Sequence, residues 1–351
     1  MEHKDDNKVS RDFFVSLAPH IRSNDTVNKI MLDVIIALVP VLAGSIYFFG
    51  LNAIRLVITC VISCIAGEYI FQKLTKKPVS INDLSAVVTG LLLAFNLPAT
   101  MPSWMACFGS LFAVVIIKGC FGGIGSNFMN PALGARIMLM ASWAKQITNY
   151  TNPTGFGSSV DAISSATPLT LIKAGEYADL PKLSDMLIGN IPGVIGETSS
   201  ILILLGFVYL LARKVIRPDV PIIFVATTAV FLLIFGIPAN MLVYELLAGG
   251  LLFGAVFMAT DYTTSPITRR GKIIFAFGCG LITALIRTKA ALPEGTSYAI
   301  CLMNIATPLI DRLTKTKAYG EASKWKKLWS MDLFYCFFVQ FLQVFSQLLI
   351  R

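Results

Sequence analysis

Ten apolar segments of 14 to 20 residues recur along this chain, and they constrain its fold more than any other feature. About 20 apolar helical residues cross the roughly 30 Å hydrocarbon core of a bilayer, and helices buried within protein need fewer. Hydrophobic residues make up 55% and charged residues 14% of the 351 residues, whereas soluble domains have about 45–50% and about 25%. The sequence therefore predicts an all-α polytopic membrane protein with about ten transmembrane helices. The predicted spans are 30–49, 54–72, 84–97, 103–118, 131–144, 198–212, 219–236, 241–259, 272–287 and 297–311.

The predicted spans fall into two halves that carry similar residues at similar spacing. The corresponding positions, offset by 168, 169 and 174 residues, are Pro98 and Pro266, Lys118 and Arg287, and Asn130 and Asn304. Because five spans is an odd number, two such halves have opposite orientations, which predicts an inverted repeat. Chance similarity among turns rich in glycine and proline is the alternative. The predicted organisation is a cytoplasmic N-terminal tail (1–29), a first membrane half (30–144), an extracytoplasmic loop (145–197), a second membrane half (198–311) and a C-terminal tail (312–351).

The charges predict the orientation of the chain. It carries 29 Lys+Arg and 20 Asp+Glu, a net charge of +9. With the N-terminus inside, 21 basic residues fall on the cytoplasmic side and 6 on the outer side. This asymmetry follows the positive-inside rule. The positive net charge is therefore explained without a nucleic-acid partner.

Two other regions limit the chemistry. Both histidines, His3 and His20, lie in the polar N-terminal tail, which excludes a histidine-ligated haem within the membrane and a histidine-based zinc site. The seven cysteines form no cluster motif, and we expect no metal site. The apolar stretch 331–350 has a polar stripe of three glutamines at helical spacing. We expect an interfacial helix there, with an eleventh span or a packing element as alternatives.

The long predicted loop contains Asp161-Ala-Ile-Ser-Ser-Ala-Thr-Pro-Leu169. Taken alone, a stretch of serine and threonine before proline is an ordinary turn. A hydroxyl is a weak nucleophile without a positioned base, and Asp161 is the only nearby candidate in the sequence.

This segment, however, resembles the flavinylation signature of the D subunit of Rnf complexes and of the B subunit of sodium-translocating NADH:quinone reductase. The resemblance extends over residues 18–312. It includes Ala18-Pro-His-Ile-Arg-Ser-Asn24, Ile30-Met-Leu-Asp-Val-Ile-Ile-Ala-Leu-Val-Pro40, Phe121-Gly-Gly-Ile-Gly-Ser-Asn-Phe-Met-Asn-Pro-Ala132, Met258-Ala-Thr-Asp261 with Pro266, and Glu294-Gly-Thr-Ser-Tyr-Ala299. Ser165 stands where the family often has glycine. The short N-terminal tail and the shorter chain favour the Rnf branch.

The resemblance implies a function and a set of partners. Thr167 is expected to carry FMN through a phosphoester bond, which makes the chain a flavoprotein and a phosphoprotein, with Asp161, Ser164 and Ser165 beside it. A separate flavin transferase would attach the FMN. The family implies electron relay between ferredoxin and NAD, coupled to Na⁺ or H⁺ transport, within a multisubunit complex of the bacterial cytoplasmic (inner) membrane. The FMN loop would be extracytoplasmic, and a second, non-covalent flavin, riboflavin, is implied as well.

Charged and amide side chains supply further candidates. Arg287 and Lys289 fall on the same side as Thr167 in the predicted topology, where they would balance the FMN phosphate or the reduced ring. The alternative is that they anchor a helix end at the membrane surface. Asn127 and Asn130 flank a glycine-rich turn and are candidates to bind the second flavin through its pyrimidine edge. The alternative there is a tight turn that needs only the glycines.

Three carboxylates fall within predicted spans. An ionisable group at membrane depth is costly and is a functional candidate by default. Asp33 and Glu68 lie toward the cytoplasmic side and Glu245 toward the outer side, and all three are candidates for an ion pathway. Groups this near the span ends also reach water or headgroups, which is the alternative.

Two other functions remain open at this point. One is a subunit of a sodium-translocating NADH:quinone reductase, which predicts a quinone-coupled complex. The other is a flavin-free secondary transporter built from inverted repeats, which predicts substrate flux without bound flavin.

Overall fold

The computed structural model describes residues 26–153, 165–197 and 199–315, and within these ranges the chain is all-helical with no β-strand. The α-helices are α1 (Val27–Leu74), α2 (Ser85–Phe95), α3 (Ser103–Leu111), α4 (Pro131–Ser142), α5 (Ala144–Ile147), α6 (Pro168–Ala174), α7 (Leu183–Ile188), α8 (Ser200–Ala212), α9 (Asp219–Ile234), α10 (Ala239–Leu247), α11 (Leu251–Phe253), α12 (Arg269–Lys289) and α13 (Thr296–Thr314). Wider π-helical turns extend α3 through Phe112–Gly119 and α11 through Gly254–Met258. Short 3₁₀ turns cover Ile81–Asp83 and Tyr177–Asp179.

Helices occupy each of the ten predicted segments, with two differences in continuity. The predicted spans 30–49 and 54–72 form a single helical element, α1, that is broken only at Gly50. The predicted span 241–259 is interrupted between α10 and α11, whose axes are bent by 62°. The predicted loop 145–197 also contains the short helices α6 and α7. Asp161, Ser164, His3, His20 and the stretch 331–350 lie outside the described residues.

Two of the described helices, α1 and α12, are long and apolar enough to cross a membrane. The number is three if the bent pair α10–α11 is counted as one span. Four shorter apolar helical stretches of 10–17 residues accompany them: Ser85–Phe95, Ser103–Gly119, Ser200–Ala212 and Asp219–Ile234.

The long element α1 is a hairpin. A straight 48-residue helix would be about 72 Å long, but Gly50 has φ 58° and ψ −138°, a conformation that only glycine adopts readily. Ile30 lines a cavity together with Lys118, and Lys118 forms an ion pair with Glu68. Residues near both ends of α1 therefore meet at one end of the molecule, and Gly50 lies at the reversal.

Other helices pack against the two halves of this hairpin. In α2, a Cβ added to Gly90 would lie 2.8 Å from the Val61 Cα, so the two backbones approach closely. In α8, Gly206 lies against Ala37, while Arg213 just past its C-terminus reaches Asp33. The pair α9 and α12 makes a similarly close approach in the second half, where Gly280 faces Thr227.

The described fold therefore has two distinct ends. Asp33, Glu68 and Lys118 lie at one of them, which we call the Asp33 end. The residues after α7 cover the other, where Ser45 donates to the Ile195 carbonyl at 2.6 Å. Thr167 belongs to this second region, which we call the Thr167 end.

Candidate functional site

Thr167 begins a helix, and its hydroxyl is only lightly engaged. It is the N-cap of α6, and its Oγ1 accepts a long hydrogen bond of 3.4 Å from the Thr170 amide. Pro168 follows at the first helical position, where its fixed φ suits the helix start. Two contacts hold the segment in place: the Ser165 amide donates to the Tyr150 carbonyl at 2.9 Å, and Lys173 donates to the Ala290 and Leu292 carbonyls. The half-buried Thr167 hydroxyl is thus presented on an anchored segment.

A small cavity of about 30 Å³ lies beside Thr167. Its polar lining residues are Tyr150, Thr167, Glu197 and Glu294, and the rest of the wall is formed by glycines, prolines and the apolar side chains of Leu169 and Ile191. A volume of this size holds a water molecule or a small ion and excludes larger groups.

Arg136 lies next to this cavity and joins the two halves of the chain. Its guanidinium donates at 2.7 Å to Asn96 Oδ1 and at 2.7 Å to Glu294 Oε2. The Arg136 side chain is 3% exposed and that of Glu294 is 13% exposed. The other Glu294 oxygen, Oε1, accepts from the Gly250 amide in the break between α10 and α11. Arg136 of the first half therefore fixes, through Glu294, the broken helix of the second half.

Glu197 completes this group of charged residues. Its Oε1 accepts a 3.5 Å hydrogen bond from the Val194 amide, whereas the buried Oε2 finds no hydrogen-bond partner among the described residues. Burial and the nearby Glu294 carboxylate raise the pKa of Glu197 to about 8, although the attraction of Arg136 acts in the opposite direction. Burial also raises the pKa of the Tyr150 phenol. A carboxyl group whose neutral form is favoured by burial thus lines the Thr167 cavity.

The two cations predicted near Thr167 have different positions. Arg287 is buried and is ion-paired with Glu245 at 3.1 Å, and it also donates to the Ala248 carbonyl at 3.1 Å. It does not line the cavity but lies behind Gly249, which does. Lys289 is exposed and does not line the cavity. Arg287 therefore holds the turn after α10.

Asn127 and Asn130 are brought together at the Asp33 end, where both line a cavity of about 90 Å³. Asn130 is already used as the N-cap of α4, since its Oδ1 accepts from the Ala132 and Leu133 amides at 3.1 and 3.4 Å. The buried Asn127 Oδ1 has no hydrogen-bond partner in the described part of the chain. Only Asn127 therefore has an acceptor free for a ligand.

A buried ion pair separates this cavity from a second one of about 290 Å³. Lys118 donates to the two Glu68 oxygens at 2.8 and 2.7 Å and to Ser85 Oγ at 2.6 Å. The side chains of Lys118 and Glu68 are 3% and 6% exposed. Lys118 lines both cavities, as does Ile124 of the glycine-rich turn. All three ammonium donors of Lys118 are thus satisfied.

Each of the three carboxylates predicted for an ion pathway has a cationic partner. Asp33 accepts from Arg213 at 3.1 Å and from the Tyr209 hydroxyl at 3.0 Å, and the Arg213 side chain is 57% exposed. The Glu68 and Glu245 pairs are buried. These contacts explain how carboxylates are accommodated within apolar helices.

Sequence reasoning did not identify Arg136, Glu197 and Glu294 as site residues. Arg136 lies within the predicted span 131–144, and a lone arginine in an apolar run is itself a signal. Glu294 begins one of the family-like motifs. Glu197 is 30 residues from Thr167 and carried no local signal.

The described helices α1 and α12 are long and apolar enough to cross a bilayer, which places the chain in the class of membrane proteins. Comparison with known sequences gives its family. The chain belongs to the NQR2, RnfD, RnfE family, whose model matches residues 14–320.

Three relatives, each the D subunit of its complex, show the branch to which the chain is most similar. The chain is 49% identical over 308 residues to the D subunit of the Na⁺-translocating ferredoxin:NAD⁺ oxidoreductase complex of Acetobacterium woodii, and the alignment covers 87% of this chain and 95% of the relative. It is 40% identical over 320 residues to the D subunit of the proton-translocating ferredoxin:NAD⁺ oxidoreductase complex of Clostridium ljungdahlii, with 88% of this chain and 96% of the relative aligned. It is 36% identical over 348 residues to the D subunit of the ion-translocating oxidoreductase complex of Stutzerimonas stutzeri, again with 88% of this chain and 96% of the relative aligned. The predicted family is thus confirmed, and the relatives are subunits of redox enzyme complexes.

Proposed function

We propose that this chain is the D-type subunit of an Rnf complex, that it carries FMN covalently on Thr167, and that it relays electrons across the membrane between ferredoxin and NAD. The relatives are named as subunits of ion-translocating ferredoxin:NAD⁺ oxidoreductases and match nearly their whole length. The other subunits would supply the ferredoxin and nicotinamide sites. The complex would couple the electron transfer to Na⁺ or H⁺ transport in the bacterial cytoplasmic membrane.

The observation that carries the proposal is the placement of Thr167. Its hydroxyl is half-buried, makes only long hydrogen bonds, and stands at the start of an anchored helix. The cavity behind it is too small for a flavin ring and is lined by the Glu197 and Glu294 carboxyls. An FMN bound to Oγ1 would therefore have its ring outside this cavity. Bound there, FMN would supply one-electron chemistry, and Thr167 would hold it through the phosphoester bond.

The two ends of the fold support a second flavin site as well. The cavity at the Asp33 end offers the Asn127 Oδ1 as an unpartnered acceptor among the described residues. This acceptor matches the N–H donor of a flavin pyrimidine edge. Riboflavin at this cavity and FMN at Thr167 would place one flavin at each end of the molecule.

The proposed membrane arrangement has ten crossings in two inverted five-helix halves. Lys118 and Arg287, which the repeat relates, each form a buried ion pair with a glutamate, one at each end. The basic residues after α1 and after α8 lie at the Asp33 end, which we assign to the cytoplasm by the positive-inside rule. Thr167 would then be extracytoplasmic, and Asp33, Glu68 and Glu245 remain candidates for the ion pathway.

The deciding experiment is the Thr167→Val substitution. Valine keeps the size and β-branching of threonine but lacks the oxygen that forms the phosphoester. We expect the fluorescent flavin band at subunit mass to vanish from a denaturing gel while the chain still inserts into the membrane. Ser165→Ala and Thr170→Ala are the controls, because each removes a neighbouring hydroxyl, and Thr170 also bonds the Thr167 carbonyl at 2.7 Å.

The same gel separates the proposal from its rivals. A band that persists in the Thr167→Val variant would contradict the attachment site. A wild-type chain without any band, made together with a flavin transferase, would favour a flavin-free transporter. Coupling of electron transfer to quinone rather than to NAD would indicate the NADH:quinone reductase branch.

A further inference from the structure

Glu197 is a buried carboxyl group with no ion-pair partner in the part of the chain that the structure describes. Arg136 is paired with Glu294 and Arg287 with Glu245, while Lys173, the third cation of the region, donates to the Ala290 and Leu292 carbonyls and interacts with Glu245. The groups that face Glu197 are Glu294, Arg136, Tyr150 and Arg287. When ionised, Glu197 therefore adds a second negative charge beside Glu294 without a cation of its own.

The position of Glu197 makes that charge costly and directs it toward the cavity. The residue is 8% exposed, and its Oε2 has no hydrogen-bond partner among the residues that the structure describes. A Cβ added to Gly250 would lie 2.8 Å from Glu197 Oε2 and 2.5 Å from Glu294 Oε1, so both carboxyl groups converge on the same backbone position. A buried carboxylate without a compensating charge takes up a proton or binds a cation.

We propose that Glu197 and the cavity beside it bind one small cation, either a proton on the Glu197 carboxyl group or a sodium ion that competes with that proton. Either ion gives the Glu197 carboxyl group the partner that the described residues do not supply. The cavity of about 30 Å³ has room for an ion of this size, and Glu197, Glu294, Tyr150 and Thr167 line it with oxygens.

The contacts of Glu294 connect this site to the break between α10 and α11. Glu294 joins Arg136 on one side to the Gly250 amide on the other. When Glu197 loses its cation, it becomes a second carboxylate that attracts Arg136. The charge on Glu197 therefore acts on the ion pair that holds the break between α10 and α11.

The test is a titration of Glu197 by infrared spectroscopy, using the full chain made without the flavin transferase so that no covalent flavin absorbs and the Thr167 hydroxyl is kept. The carbonyl stretching band of a protonated carboxyl group is recorded from acid to alkaline pH in choline chloride. We expect a band that is lost with a midpoint of about 8 and that is absent from the same chain with Glu197→Gln. The exposed Glu176 of the same loop is the matched control, and Glu176→Gln should leave that band unchanged.

Two further arms identify the ion and the electrostatic cause. Sodium chloride in place of choline chloride should lower the midpoint if sodium competes, and an unchanged midpoint defines the site as a proton site. Glu294→Gln should lower the midpoint, because it removes the like charge and leaves Arg136 to Glu197. The proposal is overturned if the Glu197→Gln difference band is absent at pH 6 in choline chloride, or if Glu294→Gln raises the midpoint.

This site goes beyond the proposed flavin function and fails separately from it. The flavin on Thr167 is measured as a fluorescent band, and the Glu197 titration is measured in a chain made without the flavin transferase, which carries no covalent flavin. A missing flavin band in the wild-type chain would leave the ion site standing, and a flat titration would leave the flavin attachment standing.

Discussion

Breaking the buried Lys118–Glu68 pair should destabilise the protein far more than breaking an exposed pair. Lys118→Met keeps the length of the side chain but removes a cation that makes three hydrogen bonds and is 3% exposed. Glu68 would keep only the 3.1 Å hydrogen bond from Gln72. Leaving one member of a buried pair uncompensated costs about 3–5 kcal/mol.

The second substitution tests whether this cost comes from the orphaned charge. Adding Glu68→Gln to Lys118→Met removes that charge, and replacing both members of a buried pair is often close to neutral. The double variant should therefore be more stable than Lys118→Met alone. Arg269→Met is the matched control: Arg269 pairs with Asp219 at 3.0 Å, but its side chain is 72% exposed, so the loss should be about 0–1 kcal/mol.

The assay is thermal unfolding of the purified chain in detergent, with all variants at the same pH and salt concentration. The expected order of melting temperatures is wild type, then Arg269→Met, then the double variant, and Lys118→Met lowest. Equal melting temperatures for Lys118→Met and Arg269→Met would refute the reasoning. So would a double variant that is no more stable than Lys118→Met, because removing the orphaned carboxylate should recover part of the loss.

The two ends of the fold give three further predictions. Cysteine at position 167 should react with a membrane-impermeant reagent in intact cells and cysteine at position 76 only after lysis, and the reverse would contradict the proposed orientation. Asn127→Leu should lower the non-covalent flavin content of the complex and spare covalent FMN, whereas Asn130→Ser, which keeps an N-cap, should change neither; full occupancy in Asn127→Leu would exclude the second site. Because the pKa of Glu197 is raised in the folded state, its contribution to stability is present below the ordinary carboxyl value of 4.5 and is lost as the pH rises through about 8. The melting temperature of Glu197→Gln should therefore fall less over this range than that of the wild type, and equal slopes would argue against a neutral Glu197.

Much of the helical layout is readable from the sequence, because apolar runs long enough to cross a bilayer are rare in other contexts. The sequence predicts a short loop between the first two spans, whereas the reversal occupies a single residue, Gly50. It does not predict the break between α10 and α11, since Gly249 and Gly250 lie inside a continuous apolar run. Side-chain hydrophobicity does not report the backbone conformation of a glycine.

The site is readable only in part. Thr167 can be named because its motif is local, whereas Glu197 reaches the same cavity through the fold. The glycine-rich turn suggests flavin binding for Asn130, yet an asparagine directly before Pro131 also fits the rules for a helix start, and that is how the structure uses it. The local rule is the better guide to that side chain.

The reversal at Gly50 also bears on how the chain enters the bilayer during synthesis. Because both ends of α1 lie at the Asp33 end, the two halves can insert together, and only the residues near the reversal have to pass through the hydrocarbon. Residues 48–55 contain one charged side chain, Arg55, which in the finished fold donates to the Ala99 and Met101 carbonyls. The first hairpin can therefore begin to insert before any partner helix exists, but Asp33 and Glu68 acquire their cations only when Arg213 and Lys118 have been made. It then provides the surface on which α2 and α8 pack when they are made.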